Sequence, residues 1–122
     1  MADGLSATAA NALITSLIGS YTWVQLHTGA PGAAGTSNVA GNTTRKQVTS
    51  WGSVSGGAVV TAVDLAWTAV STSETYSHFS VFTASSAGTF GFSGSLTANP
   101  VTAGDNFTIL SGNLGTSLTV AS

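Results

Sequence analysis

Helical periodicity occurs once in this chain and then stops. Over residues 6–18, Ala10, Leu13, Ile14 and Leu17 recur at helical spacing and make one apolar stripe. Beyond Gly19 the apolar residues return at every second position instead, in short runs punctuated by Gly-Gly, Asn-Pro and Gly-Asp-Asn. A chain patterned this way can bury its apolar faces only by packing antiparallel sheet on sheet. No strand–helix–strand alternation recurs, so a parallel α/β fold is disfavoured. The expected fold is mainly β: an antiparallel β-sandwich or small barrel with one short N-terminal helix, forming a single domain over residues 1–122.

Ser6 suits the N-cap of the helix, Asp3 places negative charge near its positive end, and Gly19 is the expected left-handed stop. About twelve residues of helix are marginal alone. The stripe must therefore dock on the sheet or on a neighbouring subunit. Strands are expected at Tyr21–His27 and at Thr43–Thr49, which holds the only two basic residues, Arg45 and Lys46. Ala58–Thr68 alternates, with Val59, Thr61, Val63, Leu65 and Trp67 on one face. In Thr75–Phe82, Tyr76, His78, Ser80 and Phe82 oppose Thr75, Ser77, Phe79 and Val81. Thr89–Leu96, Phe107–Leu110 and Thr116–Val120 follow, with Asn99-Pro100 and Gly104-Asp105-Asn106 as turns.

Between the first two strands lies Thr28–Asn42, T-G-A-P-G-A-A-G-T-S-N-V-A-G-N. Its glycines and proline exclude a regular element, and a structureless loop of this length is usually functional or contact-forming. Its glycines and Pro31 suit close backbone approach to another surface.

Only 5% of residues are charged, and the formal net charge is -2. No basic patch exists to neutralise phosphates, and no polybasic segment to hold an anionic membrane. Residues 1–20 carry no Lys or Arg, and the apolar stretch Ala7–Ile18 is too short to span a bilayer, so neither a secretory signal nor a membrane span is expected. Cysteine is absent, which removes disulfides and thiolate chemistry. Ser, Thr, Ala and Gly make up 70 of the 122 residues. A surface of small neutral side chains is covered by a partner at little desolvation cost, and it resists association weakly. The composition suits a protein that works packed against others.

Few residues could carry catalysis. His27 and His78 are the only histidines and show no close ligand spacing, so each is expected to hydrogen-bond from a strand or strand end. G-x-S-x-G is absent, and nothing in the spacing of Asp64, Glu74 and Asp105 brings two carboxylates to one cleft. The series Gly29, Gly32, Gly35 lacks the lysine and following helix of a phosphate cradle. Trp23, Trp51 and Trp67 could form a sugar-stacking platform but more often anchor a core. No enzyme activity, cofactor or metal is expected.

The segment Leu26-His27-Thr28-Gly29-Ala30-Pro31-Gly32-Ala33-Ala34-Gly35-Thr36-Ser37-Asn38 resembles the L-H-T-x-x-P-G-x-x-G-T-x-N segment of small virion proteins of tailed phages. These are the tail-fibre-like or minor tail proteins that abound in phages of actinobacteria. The order of the rest is similar: Met1-Ala2-Asp3-Gly4-Leu5-Ser6 before an apolar helix, Arg45 and Trp51 after the loop, then His78-Phe79-Ser80-Val81-Phe82, Gly88-Thr89-Phe90, Leu96-Thr97, Gly104-Asp105 and Gly112. One departure is Ala30, where many relatives carry Asp before Pro-Gly.

The resemblance implies a non-enzymatic virion structural protein whose partners are other virion proteins, the major capsid protein or tail proteins. Its short length and lack of a repeat or stalk favour an exterior capsid decoration protein, with a minor tail, tail-fibre or tail-tip protein as the alternative. A carbohydrate-binding module is a more distant reading. A homo-oligomer is expected, with a trimer as first guess. The candidate protein-contact residues are Leu13 and Leu17 on the helix and Pro31, Gly32, Gly35 and Asn38 in the loop.

Overall fold

The computed structural model describes residues 4–118 and 120–121. Asp3, the expected partner of the helix dipole, and residue 119 of the last expected strand lie outside the described residues.

Helix α1 runs Ala7–Ser20, and Ser6 caps it by accepting the Ala9 N–H on its hydroxyl at 3.1 Å. Gly19 is not the stop. The helix passes through it and ends at Tyr21, whose N–H donates to the Leu17 carbonyl at 2.9 Å. The sheet takes over at once: the Thr22 N–H donates to Phe82 O, so no left-handed residue is needed to turn the chain. Ala10 and Ile14 are buried and Leu17 is half-buried, but Leu13 is 53% exposed. The stripe thus covers the sheet with three of its four residues. Asn11 Oδ1 accepts the Gly57 N–H at 2.8 Å and pins the helix to the start of a strand.

Eight strands follow among the described residues: β1 Trp23–His27, β2 Lys46–Gln47, β3 Ala58–Val60, β4 Leu65–Trp67, β5 Glu74–Phe82, β6 Phe90–Val101, β7 Phe107–Ile109 and β8 Gly115–Ser117. All named pairings are antiparallel. One sheet has the order β2-β1-β5-β6; opposite it, β3 pairs with β8 and β4 with β7. The result is a small mainly β, antiparallel sandwich. Its core holds Val24, Leu26, Tyr76, Phe79 and Val81 from the four-stranded sheet and Leu65, Trp67, Phe107, Ile109 and Leu114 from the other layer. Trp67 and Tyr76 both pack on the Phe107 ring, the latter edge-on at 5.0 Å between centroids.

Three expectations about the strands change. Ala58–Thr68 is two strands, because Asp64 Oδ1 accepts the Ser111 N–H and Thr61 pairs with Leu114 and Gly112, leaving an irregular stretch between β3 and β4. The inward alternation survives the break: Val59, Thr61, Leu65 and Trp67 are buried. In β5, Tyr76 does not share a face with His78, Ser80 and Phe82. A register shift between Tyr76 and His78 turns it into the core beside Phe79 and Val81. Finally, Asn99-Pro100 is not a turn. It lies within β6, where proline is tolerated because β6 is an edge strand with one side unpaired.

Candidate functional site

The four-stranded sheet has a second face, and it is polar. Register places Trp23 opposite Phe82, Gln25 opposite Ser80 and His27 opposite His78, so these six side chains share the side away from the core. Gln25, His27 and Ser80 are nonetheless buried. The long loop closes over His27, and the Arg45 guanidinium reaches Gln25.

That loop is more ordered than its composition suggests. The Thr28 N–H donates to Asn38 O at 2.9 Å and the Ala40 N–H to Leu26 O at 3.1 Å, so residues 38–40 return beside the end of β1. Between them, the Ser37 N–H donates to Pro31 O at 2.9 Å and the Gly35 N–H to Gly32 O at 3.2 Å. The ends meet and the interior bonds to itself, the form of a compact surface loop closed at its base. Asn38, with φ 52, donates its side-chain amide to Ala30 O at 3.0 Å. Gly35, with φ 71, passes so close over the Phe90 ring that no side chain fits.

His27 fastens the loop to the sheet. Ser37 O, an acceptor only, lies 2.9 Å from Nδ1, so Nδ1 carries the proton. Nε2 then accepts from the Ser80 hydroxyl at 2.7 Å. The ring is neutral, and burial holds its pKa below the ordinary histidine value; the Ser37 and Asn38 backbone opposes this, while His78 and Arg45 add to it. Ser80 and His27 have the spacing of a nucleophile and its base. Both are fully buried, so no substrate reaches them, and the arrangement serves as a structural clasp.

Arg45 does the same at the neighbouring turn. Its guanidinium stacks 3.9 Å from the Phe82 ring centroid, donates to the carbonyls of Ala84 and Ala87 at 2.8 and 2.7 Å, and reaches Gln25 Oε1 at 3.3 Å. Glu74 accepts the N–H groups of Gly41 and Asn42 on its two oxygens. Most of the scarce charges therefore hold backbone in place.

Of the sequence-derived contact residues, Leu13, Gly32 and Asn38 are exposed, Leu17 is half-buried, and Pro31 and Gly35 are buried within the chain, where they shape the loop from beneath. The loop residues lie together; Leu13 and Leu17 belong to α1, a helix that packs on β3 through its buried residues Ala10 and Ile14. No tryptophan offers an exposed face: Trp67 is buried and donates to Thr44 O, and Trp23 and Trp51 are half-buried. The sugar-stacking platform is thereby lost. Among the described residues no metal-ligating cluster forms, and no helix is long and apolar enough to cross a membrane. The clasp partners Ser37, Ser80 and Gln25 escape sequence reasoning, because serine and glutamine carry no mark of burial. Only the opposition of two polar alternations, once strand pairing is known, reveals them.

No curated protein matches the sequence. Residues 4–117 match a family described as the podophage GP4 fiber I protein gp80. That span takes in α1, the clasped loop and every strand from β1 to β8, and the chain belongs to this phage fibre protein family.

Proposed function

We propose that the chain is a structural subunit of a phage tail fibre or of the tail apparatus that carries it. The match of residues 4–117 to a family described by a fibre protein supports this reading. It reverses the sequence-based preference for capsid decoration, which rested on chain length and the lack of a stalk. The architecture suits a subunit that is covered on assembly. Charged groups are engaged internally, and the large apolar side chains Leu5, Leu13, Val39, Val60, Leu110 and Leu118 are exposed. No catalytic role enters the proposal, and its partners are other virion proteins and further copies of the chain. A homo-oligomer, with a trimer as the first expectation, fits such a surface.

Immunogold labelling of intact particles with an antibody to this chain tests the placement. Label on the tail is the expected result; label over the head alone would restore the capsid reading.

A further inference from the structure

β6 is the outer strand of the four-stranded sheet, and among the described residues nothing pairs with its other side. It is also the longest strand, with 12 residues and no charge. Open edges of that length are normally blunted by lysine, proline, a bulge or a short run. Here the irregularities sit at the two ends of one stretch. Toward the start, Phe82 pairs with Phe90 and Val81 with Phe92, which leaves Gly91 unopposed. Toward the end, His78 pairs with Ser95 and Tyr76 with Asn99, so Leu96, Thr97 and Ala98 oppose Ser77 alone. Between these bulges, residues 92–95 run in unbroken register with residues 78–81 and carry neither lysine nor proline.

The direction of the main-chain groups in this stretch follows from the loop on β1. The Ala40 N–H donates to Leu26 O and the Thr28 N–H to Asn38 O, so Leu26 and Thr28 turn their peptide groups away from β5. That direction alternates along an antiparallel strand. Gln25 and His27 therefore bond Ser80 and His78, Phe79 turns to β6 and bonds Gly94, and Ser93 and Ser95 present their N–H and C=O groups at the open edge. The side chains alternate as well. Phe92, Gly94 and Leu96 share the core face, where Phe92 and Leu96 are half-buried, whereas Ser93 and Ser95 lie on the polar face and are exposed. The segment Phe92-Ser93-Gly94-Ser95-Leu96 is thus symmetric in character about Gly94: apolar, serine, glycine, serine, apolar.

We propose that β6 pairs with β6 of a second copy of the chain, antiparallel, about a two-fold axis at Gly94. In that register Ser93 meets the partner's Ser95, and Ser95 the partner's Ser93, each pair exchanging two main-chain hydrogen bonds. Gly94 meets the partner's Gly94 at the closely spaced position between them, about 4.5 Å apart at Cα, where a side chain would crowd the axis. The space over Gly94 is filled from within by the Phe79 ring, whose Cε1 lies 2.7 Å from where a Cβ would stand. On each side of the axis Phe92 meets the partner's Leu96, which covers two half-buried apolar side chains. The nearest charges in sequence, Glu74 and Asp105, are bonded to backbone N–H groups of their own chain, so identical edges meet without like-charge repulsion. The symmetric pattern selects a copy of the same strand over a strand of another sequence. The bulges end the ladder, and an isologous contact of this kind closes on itself. The proposal rests on the reading above that the chain meets further copies of itself, and not on placement at the tail.

The test is sedimentation velocity and backbone amide NMR of the purified protein from about 10 μM to about 1 mM, the range suited to a contact of a few hydrogen bonds. Assemblies should hold an even number of copies, two, or six where a three-fold contact forms as well. The amides of residues 91–97 should shift with concentration. Ser93→Pro removes an N–H that faces the open edge, and the double variant Ser93→Lys/Ser95→Lys gathers cations of both copies at the contact. Both positions are exposed, so each variant should keep the melting temperature of the dilute parent while association weakens about tenfold or more. Leu13→Asp, on α1, should leave association unchanged. Any of four results overturns the proposal: only single or odd-numbered species throughout, shifts confined to another surface, undiminished association by a folded Ser93 variant, or loss of association with Leu13→Asp. The shift map of the parent needs no variant, so it decides even where a substitution disturbs the fold. None of these bears on the fibre reading, which particle labelling decides separately.

Discussion

Replacing Gly35 with alanine asks whether the long loop is built onto the sheet. At φ 71 the backbone is left-handed, which costs a residue with a Cβ about 1–2 kcal/mol. The new Cβ would also stand 2.7 Å from Phe90 Cγ and 2.8 Å from Cε1, well inside contact distance. Phe90 has little room to yield, because its ring packs against Phe82 at 5.6 Å between centroids and Phe82 lies under the Arg45 guanidinium. Overpacking of this kind costs about 1–3 kcal/mol. Gly35→Ala should therefore lower the free energy of unfolding by about 3 kcal/mol. Gly104→Ala is the control. Its φ is 96 but nothing lies within 4 Å of its Cβ, so it carries the backbone penalty alone, about 1–2 kcal/mol. Urea denaturation followed by tryptophan fluorescence reads both variants as shifts of midpoint at constant slope. If the two losses agree to within about 0.5 kcal/mol, Gly35 does not press on Phe90 and the loop is not seated as described.

Other expectations concern single side chains. His27→Ala should cost about 2–4 kcal/mol, from the cavity and the stranded Ser80 hydroxyl, and hydrogen exchange should show the 28–39 loop opening first. Burial lowers the folded pKa of His27, so on acidification the unfolded chain takes up its proton first. Stability should be complete above about pH 6.5 and fall as pH drops below it, and His27→Ala should flatten that decline. Tyr76→Phe should be neutral or slightly stabilising in thermal melts, because the buried Tyr76 hydroxyl has no hydrogen-bond partner among the described residues; a loss above about 1 kcal/mol would reveal a hydrogen bond there. Leu13→Asp should leave the melting temperature of the isolated chain nearly unchanged, whereas Ile14→Ala, at a 1% exposed site, should cost about 2–4 kcal/mol; light scattering then shows whether Leu13→Asp disturbs self-association.

Much of the fold is legible because it is written in local periodicity. The helix with its Ser6 cap, the inward set Val59, Thr61, Leu65 and Trp67, and the mainly β, antiparallel character all follow from which neighbours in sequence share a face. Where a long-range partner intervenes, that reasoning fails. Tyr76 changes face because β6 forces a register shift, the helix outruns Gly19 because Phe82 captures Thr22, and Pro100 stays in a strand because β6 has no outer neighbour.

The functional surface divides the same way. Low charge and the lack of cysteine are properties of composition, readable without any structure. The sealing of His27 by Ser37 and Ser80, 10 and 53 residues away in sequence, depends on how strands pair and how the loop folds back. So does the placing of Ser93 and Ser95 at an open sheet edge. A serine or asparagine carries the same local preferences whether it ends in a clasp, at an edge or in solvent. Its neighbours in space decide its role, and only the tertiary fold chooses them.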